Sequence, residues 1–239
     1  MTSDLLKSFN ENYNELEHKF DDKKITRENI ATYIDHTLLK PEATIGDIKK
    51  LCNEAKKYKF KAVCVNPYYV KFASRELKGT DIEIASVVGF PLGATARENK
   101  ITEAKRAIDE GASELDMVIN IGALKDGDTG TMREEVEGVV SLGVITKVII
   151  EICLLSDEEK VIATQIVKEA GASYVKTSTG FSKSGATLRD VALLKFIAGE
   201  EMKVKAAGGI RDFATAQAMI FAGADRIGAS RSVNIVSGE

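Results

Sequence analysis

Cysteine and histidine are scarce in this chain of 239 residues: three cysteines (Cys52, Cys64, Cys153) and two histidines (His18, His36). An odd number of widely spaced cysteines gives neither a disulfide framework nor the paired spacing of a zinc site. So few histidines exclude a histidine-rich metal centre. Positive charge is not in excess, the formal net charge being -3, so nothing points to nucleic acid or an anionic membrane as a partner. No apolar run is long enough to span a bilayer, and Met1-Thr2-Ser3-Asp4-Leu5 lacks the basic patch and apolar core of a signal peptide. What is present, 44% hydrophobic and 29% charged residues, suits one soluble domain with a large core. The expectation is a cytoplasmic, metal-independent protein without a cofactor.

Residues 3 to 24 read as an amphipathic helix. Ser3 is placed to cap it, and Leu5, Leu6, Phe9, Tyr13, Leu16 and Phe20 form an apolar stripe. Such a helix serves packing or a subunit contact, and on that ground a homodimer is expected. Thr26 is placed to cap a second short helix toward Ala31. From there a rhythm sets in, with strand-like runs at 33–38, 61–65, 82–90, 114–120, 147–152, 174–178, 203–207 and 226–229. Helical patterns lie between them. Thr44 caps one with Asp47 three residues on; Thr95 leads into 97–110, Asp157 into 158–171 and Asp212 into 213–223. Three helices end in Gly-Ala, at Gly111, Gly171 and Gly223, where glycine provides a left-handed turn before the next strand.

Mid-strand positions 35, 64, 88, 116, 147, 176, 205 and 228 lie 23 to 31 residues apart. Eight β/α units predict an α/β fold, a (β/α)8 TIM barrel in one domain, with residues 1–30 as a helical extension and 31–237 as the barrel. An open doubly wound sheet would need a glycine-rich loop after its first strand. Here that strand runs into Leu38-Leu39-Lys40-Pro41.

Inward positions of a packed barrel are filled mainly by branched apolar side chains, so polar ones need a reason. Asp116, Lys147, Lys176 and Lys205 recur at about the same depth, with Asp35 on the first strand as a fifth. A structural ion-pair network explains the balance of charge but not lysines on neighbouring strands 6 and 7. Amine chemistry explains those. A free lysine, with a pKa near 10.4, is neutral at pH 7 about once in 2500. To attack a carbonyl its pKa must fall, through burial or a neighbouring cation. Two unit charges about 5.5 Å apart at an effective dielectric of ~20 repel by roughly 3 kcal/mol, about two pKa units. Lys205 is thus suited to activate Lys176 as a Schiff-base nucleophile, and Asp116 to shuttle protons. Gly208-Gly209 after strand 7 and Gly228-Ala229-Ser230 after strand 8 lie where such barrels bind phosphate, with Gly180 as a third edge. Arg211 and Arg231 read as nearby field or surface cations.

The ordered motifs carry a resemblance. Ile34-Asp35-His36-Thr37-Leu38-Leu39-Lys40-Pro41, Val63-Cys64-Val65-Asn66-Pro67, Val87-Val88-Gly89-Phe90-Pro91, Glu114-Leu115-Asp116, Lys147-Val148-Ile149-Ile150-Glu151, Val175-Lys176-Thr177-Ser178-Thr179-Gly180-Phe181, Lys205-Ala206-Ala207-Gly208-Gly209-Ile210-Arg211 and Arg226-Ile227-Gly228-Ala229-Ser230 occur in that order between residues 33 and 236. Together they resemble the class I, Schiff-base 2-deoxyribose-5-phosphate aldolase family. The resemblance implies Lys176 as the Schiff-base lysine, Lys205 as the lysine that perturbs it and Asp116 as the carboxylate of the proton relay. It implies Asp35 and Lys147 as supporting positions, Thr37 and Thr177 at the sugar hydroxyls, and Gly180, Gly208, Gly209, Gly228 and Ser230 around phosphate. The implied reaction is reversible cleavage of 2-deoxy-D-ribose 5-phosphate to acetaldehyde and D-glyceraldehyde 3-phosphate, in deoxyribonucleotide catabolism. Its partners are these small molecules.

Two features depart from the family pattern. Arg231 follows Ser230 where some members carry a small or hydroxyl residue, with a consequence expected for phosphate affinity. The sequence closes at Ser237-Gly238-Glu239 without the tyrosine-ended tail of some members, so no proton transfer through such a tail is expected. Cys64 reads as a buried inert thiol, His36 as a hydrogen-bonded structural residue, and the Lys56, Lys57, Lys59, Lys61 run as a solvated helix end. Two other readings stay open on the residues alone. A phosphosugar isomerase would use a carboxylate or histidine base and has no use for two strand lysines. A non-catalytic phosphometabolite binder gains little from burying them.

Overall fold

The computed structural model describes residues 2–17 and 23–238. Eight parallel strands close into a barrel in chain order: β1 (Ile34–Leu38), β2 (Ala62–Val65), β3 (Glu83–Val88), β4 (Glu114–Val118), β5 (Ile145–Ile149), β6 (Tyr174–Lys176), β7 (Lys203–Ala207) and β8 (Arg226–Ala229). Each strand overlaps a run read from the sequence. The spacing was therefore informative, because every strand is a short apolar run fenced by a helix on either side.

Ten α-helices are present among the described residues. They are α1 (Thr2–Glu17), α2 (Ile45–Tyr58), α3 (Val70–Glu76), α4 (Arg97–Asp109), α5 (Ile121–Lys125), α6 (Thr129–Val140), α7 (Asp157–Glu169), α8 (Leu188–Ala198), α9 (Phe213–Phe221) and α10 (Ser232–Ser237). Thr44 and Asp47 form a reciprocal capping box on α2, and Asp212 caps α9. On α7 the cap is Ser156, boxed with Glu159, and Asp157 is the first helical residue. On α4 it is Ala96, and the Thr95 hydroxyl accepts from the Asn99 amide instead. Gly111, Gly171 and Gly223 each adopt positive φ. The amide that follows each reaches back to close the helix end, as in Ala172 N to Val167 O at 3.2 Å.

The N-terminal reading needs two corrections. The first helix already begins at Thr2, so Ser3 lies in its first turn rather than capping it. Its expected run to residue 24 ends at Glu17 among the described residues; His18 and Phe20 fall outside them, and 23–29 is turn and coil. Thr26 starts a turn, and the short helix near Ala31 is a 3-10 helix over Ile30–Tyr33. The apolar face of α1 is covered within the chain: Leu6 and Phe9 are buried with Val161 of α7 and Ala192, Leu193 and Ile197 of α8.

The large core lies between the strands and the surrounding helices. Inside the barrel, the side of β2 and β3 is apolar, where Cys64, Ala85 and Val87 pack with Leu39 and Phe90. The opposite side, from β4 round to β1, is charged. No helix among the described residues is long and apolar enough to cross a membrane.

Candidate active site

Strand register brings the charged residues together. Asp116 pairs in register with Lys147, Lys147 with Tyr174, Lys176 with Lys205, and Lys205 with Arg226. In-register residues of parallel strands point the same way, so all of these side chains enter the barrel. Lys176 is the last residue of β6 rather than its middle, whereas Lys205 sits mid-strand on β7.

Asp116 is the hub. Its Oδ2 accepts from Lys176 Nζ and from Lys205 Nζ, both at 2.7 Å, and its Oδ1 accepts from Lys147 Nζ at 2.7 Å. Below it lies a second tier. Asp35 Oδ2 accepts from Lys205 and stands 3.7 Å from Lys147, while Asp35 Oδ1 accepts from Arg226 Nη1 at 2.6 Å. Arg226 Nη2 also donates to Glu114 Oε1 at 3.2 Å. The other Glu114 oxygen lies 2.7 Å from Lys147, off the hydrogen-bonding direction. All seven charged groups are buried. The network and the nucleophile were competing explanations of the polar strands; the ion-pair network is present, and one of its three lysines, Lys176, reaches the cavity.

Burial pulls the Lys176 ammonium below its ordinary value; Asp116 resists and Lys205 adds to the fall. Burial acts the same way on Lys205, but Asp116 and Asp35 outweigh it and hold that ammonium above its ordinary value. Lys147 is likewise held up, against burial, by Asp116, Asp35 and Glu114. Burial opposes ionisation of Asp116, yet Lys147, Lys176 and Lys205 keep it well below the usual carboxylate range. Asp35 is depressed by Lys205, Lys147 and Arg226 in the same manner. One lysine of three is thus poised to lose its proton. It is also the one that meets solvent.

A cavity of about 370 Å³ opens at the C-terminal end of the strands, with Lys176 on its wall; Lys147 and Lys205 are not among the residues that line it. Thr37, Gly180, Gly208, Gly209, Gly228 and Ser230 line it as well. Gly208 has φ +88, and a Cβ there would stand 2.8 Å from the Cα of Gly185. Ala186 N donates to Ala207 O and Gly208 O, both at 3.1 Å, which ties the loop after β6 to the loop after β7. A Cβ on Gly228 would lie 3.1 Å from Lys205 Cε. That glycine therefore makes room for the second lysine in addition to lining the cavity. Arg211 lines the cavity; Arg231 lines an adjoining open groove of about 620 Å³ with Lys40, Lys50 and Glu54.

Thr177 is placed elsewhere. It is fully buried, and its hydroxyl donates to Ala207 O at 3.1 Å and accepts from Ala207 N at 3.0 Å, stitching β6 to β7. Alternation along β6 turns it away from Lys176. Thr179, two residues on, lines the cavity together with Thr37.

Four residues went unread in the sequence as parts of the site. Arg226 and Glu114 open their strands, where charge is ordinarily a surface feature. Glu151 and Thr179 meet only through the fold. Glu151 has φ +55, and its buried carboxylate accepts from Thr179 N at 3.3 Å and from the Thr179 hydroxyl. A non-glycine residue held there marks a position the surroundings enforce. Cys64 is buried 3.9 Å from Asp116, and burial, with Asp116 beside it, pushes its thiol up to about 11. His36 faces the other way, Nε2 at 2.8 Å from Glu54.

A family model described as DeoC/LacD family aldolase matches residues 29–238. A deoxyribose-phosphate aldolase of Natranaerobius thermophilus is 60% identical over 218 residues, spanning 90% of this chain and 99% of that protein. One from Aciduliprofundum boonei is 61% identical over 211 residues, spanning 87% and 95%. The tetrameric deoxyribose phosphate aldolase of Aeropyrum pernix superposes with a TM-score of 0.87 at 35% identity, covering 93% of this chain and 96% of that one. A match that runs through all eight strands and the three lysines of the site makes this chain a member of the DeoC/LacD aldolase family.

Proposed function

We propose that the barrel catalyses reversible cleavage of 2-deoxy-D-ribose 5-phosphate to D-glyceraldehyde 3-phosphate and acetaldehyde, through a Schiff base on Lys176. The observation that carries this is the position of Lys176: of three lysines bound to one carboxylate network, it alone lines the cavity, and its ammonium is held below the ordinary value. Relatives named deoxyribose-phosphate aldolase at 60% and 61% identity support the substrate.

The neutral amine attacks the C1 aldehyde carbon, and the carbinolamine loses water to form a protonated imine. The C2–C3 bond then breaks as the C3 hydroxyl loses its proton. The C2–C3 electron pair becomes the C1=C2 bond of an enamine as the iminium nitrogen is neutralised, and the C3 oxygen becomes the carbonyl of free glyceraldehyde phosphate. Protonation at C2 and hydrolysis release acetaldehyde and restore the amine. Asp116 is ionised at rest, so its first act is to accept a proton, from an ammonium it already touches or from water, and later to return it. Lys205 keeps its charge and stabilises that carboxylate. Backbone amides around Gly180, Gly208, Gly209 and Gly228, with Ser230, form the phosphate end; Arg211 adds positive potential. Thr37 serves the sugar hydroxyls, and Thr177 acts through the sheet.

The setting is the cytoplasm, with breakdown of deoxyribonucleosides as the pathway. Assembly as a homodimer, if it forms, uses a surface other than the α1 face that suggested it, because α7 and α8 already cover that face. A coupled assay for glyceraldehyde 3-phosphate tests the activity. The native chain should cleave 2-deoxy-D-ribose 5-phosphate, and Lys176→Ala should fall below about a thousandth of that rate. Isomerisation without cleavage, or binding without turnover, would replace this reading with the isomerase or the binder.

A further inference from the structure

Arg226 touches neither the cavity nor Lys176, yet it is buried at the foot of the charge network. One guanidinium nitrogen donates to Asp35 and the other to Glu114. Through them it reaches Lys205 and Lys147, and through those two Asp116 and Lys176. The network holds four basic groups (Lys147, Lys176, Lys205, Arg226) and three acidic ones (Asp35, Glu114, Asp116). Fully ionised, it carries one positive charge too many for a buried place; with Lys176 neutral it balances. Isolated buried charge is costly enough that a group sheds its proton instead. Arginine does not shed its proton in proteins.

We propose that Arg226 is a positioning residue of the aldol site: a cation that cannot deprotonate, it leaves the buried network one positive charge in excess and makes Lys176 the member that gives up a proton. The geometry selects Lys176. Lys147 stands within reach of three carboxylates and Lys205 of two, whereas Lys176 has Asp116 alone. The remaining titratable groups facing the network do not change the count. Cys64 on β2 is a thiol pushed up to about 11, hence neutral, and the Tyr174 phenol on β6 lies 3.5 Å from Arg226. Lys203, exposed at the start of β7 on the same strand face as Lys205, stands 5.7 Å from the Tyr174 ring and makes no ion pair with the network among the described residues. Glu151, after β5, accepts from the Thr179 amide and hydroxyl, and no ion pair among the described residues joins it to the network.

This inference rests on Lys176 as the nucleophile, and one titration separates the two. The rate of cyanoborohydride-trapped acetaldehyde adduct on the Lys176 peptide is followed against pH in the full chain. The variants are Arg226→Met, Arg226→Lys, Glu114→Gln and the double Arg226→Met/Glu114→Gln. Removing the cation should move the midpoint up by about one pH unit, and removing the carboxylate should move it down by a similar amount. The double variant restores the excess of one and should return close to the native midpoint, as should Arg226→Lys. If Arg226→Met does not fold, the opposite shift in Glu114→Gln and its cancellation in the double variant carry the test. Labelling on Lys176 with the same midpoint in every folded variant, with only Tm and rate reduced, would leave Arg226 a structural brace and overturn the inference. An unlabelled Lys176 in the native chain would overturn the nucleophile and the inference together.

Discussion

Lys176 and Lys205 are register neighbours with opposite electrostatic fates, and the number of carboxylates each one touches decides which. Lys205 shares Asp116 and Asp35, while Lys176 has half of Asp116. Because the folded-state pKa of Lys176 lies below its ordinary value, turnover should rise with pH through that lowered value and level off below about 10.4. A kcat/KM profile checks it. Gly228 allows this arrangement sterically. Gly228→Ala would press its methyl on Lys205 Cε, and a displacement of that kind costs on the order of tenfold to a hundredfold in kcat. Comparison of kcat with Tm distinguishes it from simple destabilisation. Lys147 is the structural counterpart. Lys147→Met leaves one oxygen each of Glu114 and Asp116 without its cation while Arg226, Lys176 and Lys205 keep the others, with an expected loss of about 1.5–3 kcal/mol in denaturant unfolding.

At the scale of elements, what the sequence disclosed follows from local physics. Strand runs, the Thr44–Asp47 box and the Gly-Ala helix ends are set by neighbours within a few residues, and they stood out. Inward lysines stood out because they break the apolar rule of barrel interiors. Thr177 was assigned to the wrong surroundings, and Arg226 was assigned no role, for the opposite reason. A threonine beside the key lysine is drawn to the site by sequence proximity but turned away by strand alternation, and an arginine at a strand's first residue looks exposed until eight strands close around it. Glu151 belongs with these. Its carboxylate fixes the loop that begins at Thr179, so Glu151→Gln should weaken phosphosugar binding about tenfold in KM, in proportion to the loss of a charged hydrogen bond. A matching fall in kcat alone would argue against a loop-positioning role.

For the whole molecule, one side of the barrel interior is apolar and the other is a charge network, and that network serves both stability and the site. The N-terminal helix belongs to stability. Phe9→Ala empties a fully buried site between α1 and α8, and Tm should fall in line with about 3 kcal/mol while kcat/KM per folded protein, measured well below the melting range, stays unchanged. Acid sensitivity belongs to the network. Asp35 and Asp116 are depressed in the fold, so their contribution is present above about pH 4 and is lost as pH falls through the folded values. His36, lowered mainly by burial and held up in part by Glu54, begins to erode stability sooner, as pH drops below about 6.5. The same barrel places one amine at the only opening of that network onto the described cavity. Borohydride trapping with acetaldehyde, followed by peptide mass mapping of the native chain and Lys176→Ala, tests that placement most directly. The expected result is an ethyl adduct confined to the peptide holding Lys176 and absent from the variant. An adduct on Lys205 or Lys147, or none on a folded protein that binds sugar phosphate, would contradict it.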